Sequence, residues 1–211
     1  MYQPPHFRED RLEVQHALMK AHPLGLLVTQ GSGGLVANPL PFALDETAST
    51  HGTLRAHLSR ANPQWRDFDP SQEVLVVFQG TETYITPSWY EAKREHGKVV
   101  PTWNYAIVQA YGRMKVMDDP AWLLGQVTAM TSAQEAARQE PWAVSDAPSD
   151  YLASQMKGIV GVEIEITRIE GKWKVSQNKP EADRRGIASG LRASGGRDAL
   201  HMADLVDNKG A

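Results

Sequence analysis

The chain has 211 residues, 41% of them hydrophobic and 22% charged, which gives room for one large domain or two small ones of an ordinary globular protein. A formal net charge of −3 argues against a surface built mainly for nucleic acid, which shows a basic excess. With no cysteine, disulfides, thiolate nucleophiles and Cys-bound metals are excluded, in keeping with a reducing compartment.

The opening MYQPPHFRED has no apolar signal-peptide core. No apolar run approaches the roughly 18 residues of a membrane helix, so a soluble, cytoplasmic protein is expected. Pro4 and Pro5 keep the first residues out of a regular helix. From Arg8 the pattern turns helical, with Val14, Ala17, Leu18 and Ala21 on one face and Pro23 as the stop. Leu24 to Gln30 reads as a buried strand, and the glycines at 31, 33 and 34 as a hairpin turn. Leu35 to Leu44 is a second strand. Pro39 and Pro41 place it at an edge or a bend. Leu54 to Leu58 alternates as a third strand.

Glu73 to Phe78 is a strongly apolar strand that Gly80 breaks, and extended structure resumes at Thr83 to Thr86. Residues 91–98 are a charged excursion with one helical turn. From Ala106 to Val116 the alternation is clean, with Ala106, Val108, Ala110, Gly112, Met114 and Val116 on one face. Asp119 and Pro120 have the form of an N-cap and first helical residue, opening a helix to about Arg138. Ser149 opens a shorter helix that Gly158 stops. Val160 to Ile166 alternates again, and Glu170-Gly171 turns the chain into a last strand at Lys172 to Gln177. From Pro180 the chain is polar and Gly-rich, with a possible helix at Ala199 to Val206. About seven short strands with few intervening helices fit a helix-decorated antiparallel barrel better than a parallel α/β sheet. No repeat or interdomain linker is visible, so one domain over 1–211 is expected, with a polar tail from about 192.

Two stretches have site-like chemistry. Tyr84 to Tyr105, YITPSWYEAKREHGKVVPTWNY, gathers two Trp and three Tyr in a chain only 8% aromatic. Rings offer a stacking face, amides and hydroxyls read an edge, and lysine meets an anion. The set suits a flat, charged ligand, or equally a loop whose rings cap the core. His57 to Trp65, HLSRANPQW, follows a strand end with a hydroxyl, an amide and a guanidinium that could meet a phosphate. It also reads as a plain Asn-Pro turn. No dinucleotide or P-loop glycine motif, zincin motif or nucleophile elbow is present, and the seven histidines lack metal-ligand spacing. No metal is expected.

Taken together and in order, MYQPPHF, HLSRANPQW, YITPSWY, VVPTWNY with YGRMKV, and GKWKVSQNKPEADRRGIASGL closely resemble the PaiB family, from Met1 to about Leu191. The resemblance implies an FMN-binding negative transcriptional regulator. Its fold is mainly β with helices (α+β), a split antiparallel β-barrel of the pyridoxamine-phosphate-oxidase-like type. It implies a homodimer with the flavin at the subunit interface. Direct contact with DNA would have no support from the charge. Arg55, His57, Ser59, Arg60 and Asn62 would hold the phosphate and ribityl end. Tyr84, Ser88, Trp89, Tyr90 and Lys93 would add to the site. Trp103, Asn104 and Tyr105 would meet the isoalloxazine, and Lys174, Gln177 and Asn178 would close it. No residue is assigned as catalytic. The alternative implied by other split barrels is a flavin-dependent oxidoreductase or a haem-handling enzyme, with His57 as the haem candidate. The sequence departs from the family where TSAQE puts Gln134 in place of a histidine beside Glu135.

Overall fold

The computed structural model describes residues 1–208. Strand β1 (Arg8–Glu9) precedes helix α1 (Leu12–Ala21), which starts later than the sequence pattern suggests. Strands β2 (Leu24–Gly31), β3 (Gly34–Pro41), β4 (Ala43–Asp45), β5 (Thr53–Ser59) and β6 (Val74–Ile85) follow. Next come helix α2 (Glu91–Glu95), strand β7 (Thr102–Met117), helices α3 (Pro120–Glu135) and α4 (Ser149–Lys157), and strand β8 (Ile159–Lys174). Helices α5 (Glu181–Ser194) and α6 (Arg197–Asp207) close the order. The region read as a polar tail is therefore helical over most of its length.

The strands are ordered β3-β2-β6-β7-β8-β5-β4, with β1 on β8, and each pairing with a described register is antiparallel. This is an α+β fold built on one eight-stranded sheet. The β2–β3 hairpin closes at Gly31 opposite Gly34, where Gly34 takes φ 106°, a value L-residues rarely adopt. Pro39 and Pro41 sit on β3 at the end of the strand order, where proline is tolerated in a sheet.

Two strands run straight through positions that read as breaks. At Gly80, in β6, a Cβ would lie 2.9 Å from the Leu18 side chain. At Gly171, in β8, it would lie 2.8 Å from the Glu9 carbonyl oxygen. Both glycines admit a close neighbour; neither turns the chain.

The chain packs as two compact units. The first comprises Met1–Leu18, Gln79–Val108 and the segment from Glu170 onward. Its core holds Phe7, Ile85, Tyr90, Trp173, Val175, Ile187, Leu191, Met202 and Val206. The second comprises Met19–Phe78 and Gln109–Ile169. Its core holds Leu27, Phe42, Leu54, Val76, Phe78, Val108's successor on the same face Ala110, and Val162 and Ile164. Phe42 and Phe78 meet there edge to face, with ring centroids 5.8 Å apart. Asp119 caps α3 as its residue type predicts, its carboxylate accepting from the Trp122 N–H at 2.8 Å.

Candidate functional site

The sixteen expected site residues divide between the units: eleven in the first and five in the second. In the second unit, β5 and the turn after it carry Arg55, His57, Ser59, Arg60 and Asn62. The Arg55 guanidinium donates to Glu163 and to Asp45, each at 3.0 Å. The Arg60 fork grips both oxygens of Asp118 and also donates to the carbonyls of Lys157 and Ile159. That pairing holds the Asp118 carboxyl below its usual range. His57 Nδ1 lies 2.9 Å from Gln126 Oε1. The Ser59 hydroxyl accepts from the Ala61 N–H, and the Asn62 side-chain oxygen Oδ1 accepts from the Gln64 N–H at 3.0 Å, capping the short 3-10 turn at Pro63–Trp65. These five side chains thus hold their own loop and strand, and both guanidinium groups already have anionic partners.

Two cavities of the second unit adjoin these residues. One, of about 600 Å³, has Arg55, Asp45, Trp122 and Gln126 in its wall. The other, of about 440 Å³, is walled mainly by apolar side chains of α3 and α4, among them Leu123, Leu124, Leu152 and Met156, with Arg60 and Asp118 also lining it.

In the first unit, Tyr84 on β6 and Trp103 on β7 expose 47% and 53% of their surface. Their rings meet edge on, with centroids 5.9 Å apart. Large apolar rings left open side by side suit a stacked ligand or a partner. Other members of the aromatic stretch serve the core. Tyr90 is buried, with its hydroxyl unpartnered among the described residues. Burial, then the nearby Asp183 and Tyr84, push that phenol above its usual range. Trp89 is seated on α5, where Cβ atoms at Gly186 and Gly190 would fall 2.0 Å from its carbonyl oxygen and 2.4 Å from its indole. Ser88 accepts from Lys93 Nζ at 3.3 Å on the surface.

β7, β8 and the turn after β8 supply the rest. Asn104 is buried and exchanges hydrogen bonds with the Ser176 hydroxyl at 2.9 and 3.1 Å. Ser176 has φ 64°, the one non-glycine residue with positive φ among those described. Gln177 holds this turn by accepting from the Val175 N–H at 2.8 Å and donating to the Trp173 carbonyl. Lys174 Nζ donates to the Thr102 hydroxyl and to the Trp103 carbonyl oxygen. The Tyr105 ring lies between Lys172 Nζ, at 5.3 Å, and Lys174 Nζ, at 5.9 Å. A cavity of about 210 Å³ opens here, lined by Thr102, Asn104, Lys174, Ser176, Asn178 and Lys179 together with Phe7, Val100 and Pro101. Reading by motif omits Lys172, Thr102, Ser176 and Lys179. The i, i+2 spacing of Lys172 and Lys174 on a strand is the signal that puts both on one face. Among the described residues no group of His, Asp and Glu is placed to hold a metal ion.

Residues 1–168 match the family described as "Putative FMN-binding domain". Protease synthase and sporulation protein PAI 2 of Bacillus subtilis is 33% identical over 209 residues, spanning 99% of this chain and 98% of its own. An uncharacterized protein of Emericella nidulans is 34% identical over 237 residues, covering 96% and 94% of the two chains. The flavocytochrome Anf3 of Azotobacter vinelandii has a similar fold, with TM-score 0.58 and 13% identity over 79% of this chain and 69% of that one. The chain belongs to the PaiB family of FMN-binding-domain proteins, and FMN is the cofactor that this membership assigns.

The donor chemistry of the first unit fits that cofactor. FMN presents a flat ring system and an anionic phosphate. The unit offers an open Tyr84–Trp103 face and, beside β8, hydroxyl, amide and ammonium donors around one cavity.

Proposed function

We propose that this protein is a flavin-binding negative regulator of transcription that acts as a homodimer with a split-barrel fold, its FMN held at the subunit interface. The observation that carries the flavin assignment is the exposed Tyr84–Trp103 ring pair, in a chain whose residues 1–168 match an FMN-binding-domain family. In this reading Trp103 and Tyr84 take the isoalloxazine face, and Lys174 holds the strand that carries Trp103 through its bond to the Trp103 carbonyl. Asn104, Ser176 and Gln177 fix the turn behind them. Bound FMN supplies one- or two-electron chemistry; the protein supplies binding, orientation and the exclusion of water.

Self-association is supported by apolar surface left open in the second unit, where Leu24, Leu26 and Leu35 on the β2–β3 hairpin are exposed. A cavity of about 210 Å³ is smaller than a pocket that encloses a drug-sized ligand, roughly 300–1,000 Å³. That size is in keeping with a site completed by a second copy. The regulatory role follows the relative from Bacillus subtilis, named for protease synthesis and sporulation. A net charge of −3 favours regulation without a groove-reading surface.

The test is titration with FMN followed by flavin fluorescence, with light scattering to give the mass of the complex. Saturable quenching by a dimer supports the reading; no quenching at any protein concentration refutes it.

A further inference from the structure

We infer that Lys174 and Lys179, backed by Lys172, form a seat for a phosphate monoester in the first unit, outside the residues matched by the family. The inference rests on the flavin reading and deepens it, by placing the phosphate of FMN here and not in the turn after β5.

Three ammonium groups fall within the eight residues from Lys172 to Lys179. Lys172 is only 8% exposed. A buried charge is ordinarily paired with an opposite one. Yet among the described residues none of these three lysines makes an ion pair. Lys172 has only the faces of Tyr105 and Tyr2, at 5.3 and 5.5 Å. Contacts of that kind offset part of the desolvation. Lys179 Nζ stands 5.2 Å from the Tyr90 ring. Lys174 has two neutral oxygens, the Thr102 hydroxyl and the Trp103 carbonyl. Burial, and then Lys172 and Lys179, lower its proton affinity below the usual lysine range. Like charges gathered without a counter-charge repel one another, and an anion among them relieves that repulsion.

The cavity wall adds the hydrogen bonds an oxyanion needs. Thr102 and Ser176 bring hydroxyls, and Asn178 brings an amide at an exposed position on the rim. The turn that positions Ser176 is held in a left-handed conformation, which the surrounding structure must enforce. Gln177 enforces it through its bonds to Val175 and Trp173. By contrast Arg55 and Arg60, the cations after which a phosphate would be sought in the second unit, are neutralised by Asp45, Glu163 and Asp118.

Riboflavin, which lacks the phosphate, separates this claim from ring stacking. FMN and riboflavin are titrated by fluorescence against the wild-type dimer and against Lys174→Met and Lys179→Met. Riboflavin affinity reports on folding in both variants. The expected result is FMN binding about 10- to 100-fold tighter than riboflavin in the wild type, with that gap closing in both variants. Equal affinity for the two flavins in the wild type, or an equal loss of both in the variants, overturns the inference.

If no flavin binds, inorganic phosphate is titrated and followed by ³¹P line broadening. Broadening by the wild type that Lys174→Met abolishes keeps the phosphate seat while the flavin reading falls. No broadening overturns both.

Discussion

Replacing Gly190 or Gly186 by alanine tests whether Trp89 is a structural wedge or a ligand residue. In the interior of an exposed helix, Gly→Ala stabilises by about 1 kcal/mol. Here the new methyl meets an obstacle. At Gly190 it would sit 2.4 Å from three atoms of the Trp89 indole, and at Gly186 2.0 Å from the Trp89 carbonyl oxygen. Ordinary contact is about 3.5–4 Å, so α5 and the turn at Pro87–Trp89 must separate by about 1 Å or more. Overpacking of that kind costs about 1–3 kcal/mol.

The net expectation is a loss of up to about 2 kcal/mol for Gly190→Ala, less if the indole can shift. For Gly186→Ala, where backbone is the obstacle, the loss lies at the upper end. With a urea slope of about 2 kcal/mol/M, that lowers the denaturation midpoint by up to about 1 M. A double-mutant cycle sharpens the test. With Trp89→Ala the indole is gone but the carbonyl remains, so Gly190→Ala should become stabilising while Gly186→Ala stays destabilising. A raised midpoint for Gly186→Ala in the wild-type background would refute the packing reasoning.

Other outcomes follow from the same geometry. Trp103→Ala should weaken flavin binding by about 1–3 kcal/mol, the worth of a stacking ring, with little change in the denaturation midpoint because the side chain is half exposed; an unchanged flavin Kd contradicts its role. Asp119→Ala should cost about 1 kcal/mol through loss of the α3 cap, read as a lower urea midpoint at unchanged slope; no shift means the cap contributes nothing. The lowered proton affinity of Lys174 disfavours its ammonium in the fold, so this group's contribution to stability rises with pH between its folded value and the ordinary lysine value. A bound anion favours the ammonium, so FMN affinity should fall as pH climbs through the window just below the ordinary lysine range, while riboflavin affinity stays flat. FMN and riboflavin profiles of the same shape would contradict this.

Much of the secondary structure was legible because its signals are local. The alternation from Ala106, the Asp119-Pro120 helix start and the prolines of β3 are each set by a neighbour within a turn or by the pleat. Gly80 and Gly171 were misleading because glycine marks a break and a close approach in the same way, and only the neighbour, Leu18 or Glu9, tells them apart. The helix after Pro180 was hidden for a related reason. Gly186 and Gly190 dilute its pattern in order to seat Trp89. The aromatic stretch was legible as a whole, but exposure divides it, with Tyr84 and Trp103 open and Tyr90 in the core. The ion pairs of β5 and the turn after it were not legible, because their partners lie far away in sequence. Glu163 is 108 residues from Arg55, and Asp118 is 58 from Arg60. No spacing rule reveals such ion pairs.

The most direct test of the central claim is the visible spectrum of the purified protein, mixed with excess FMN and then freed of unbound flavin by gel filtration. Flavin absorbance should co-elute with a dimer and be reduced in Trp103→Ala. A protein that elutes colourless after loading, at a concentration where it is folded and dimeric, would contradict it.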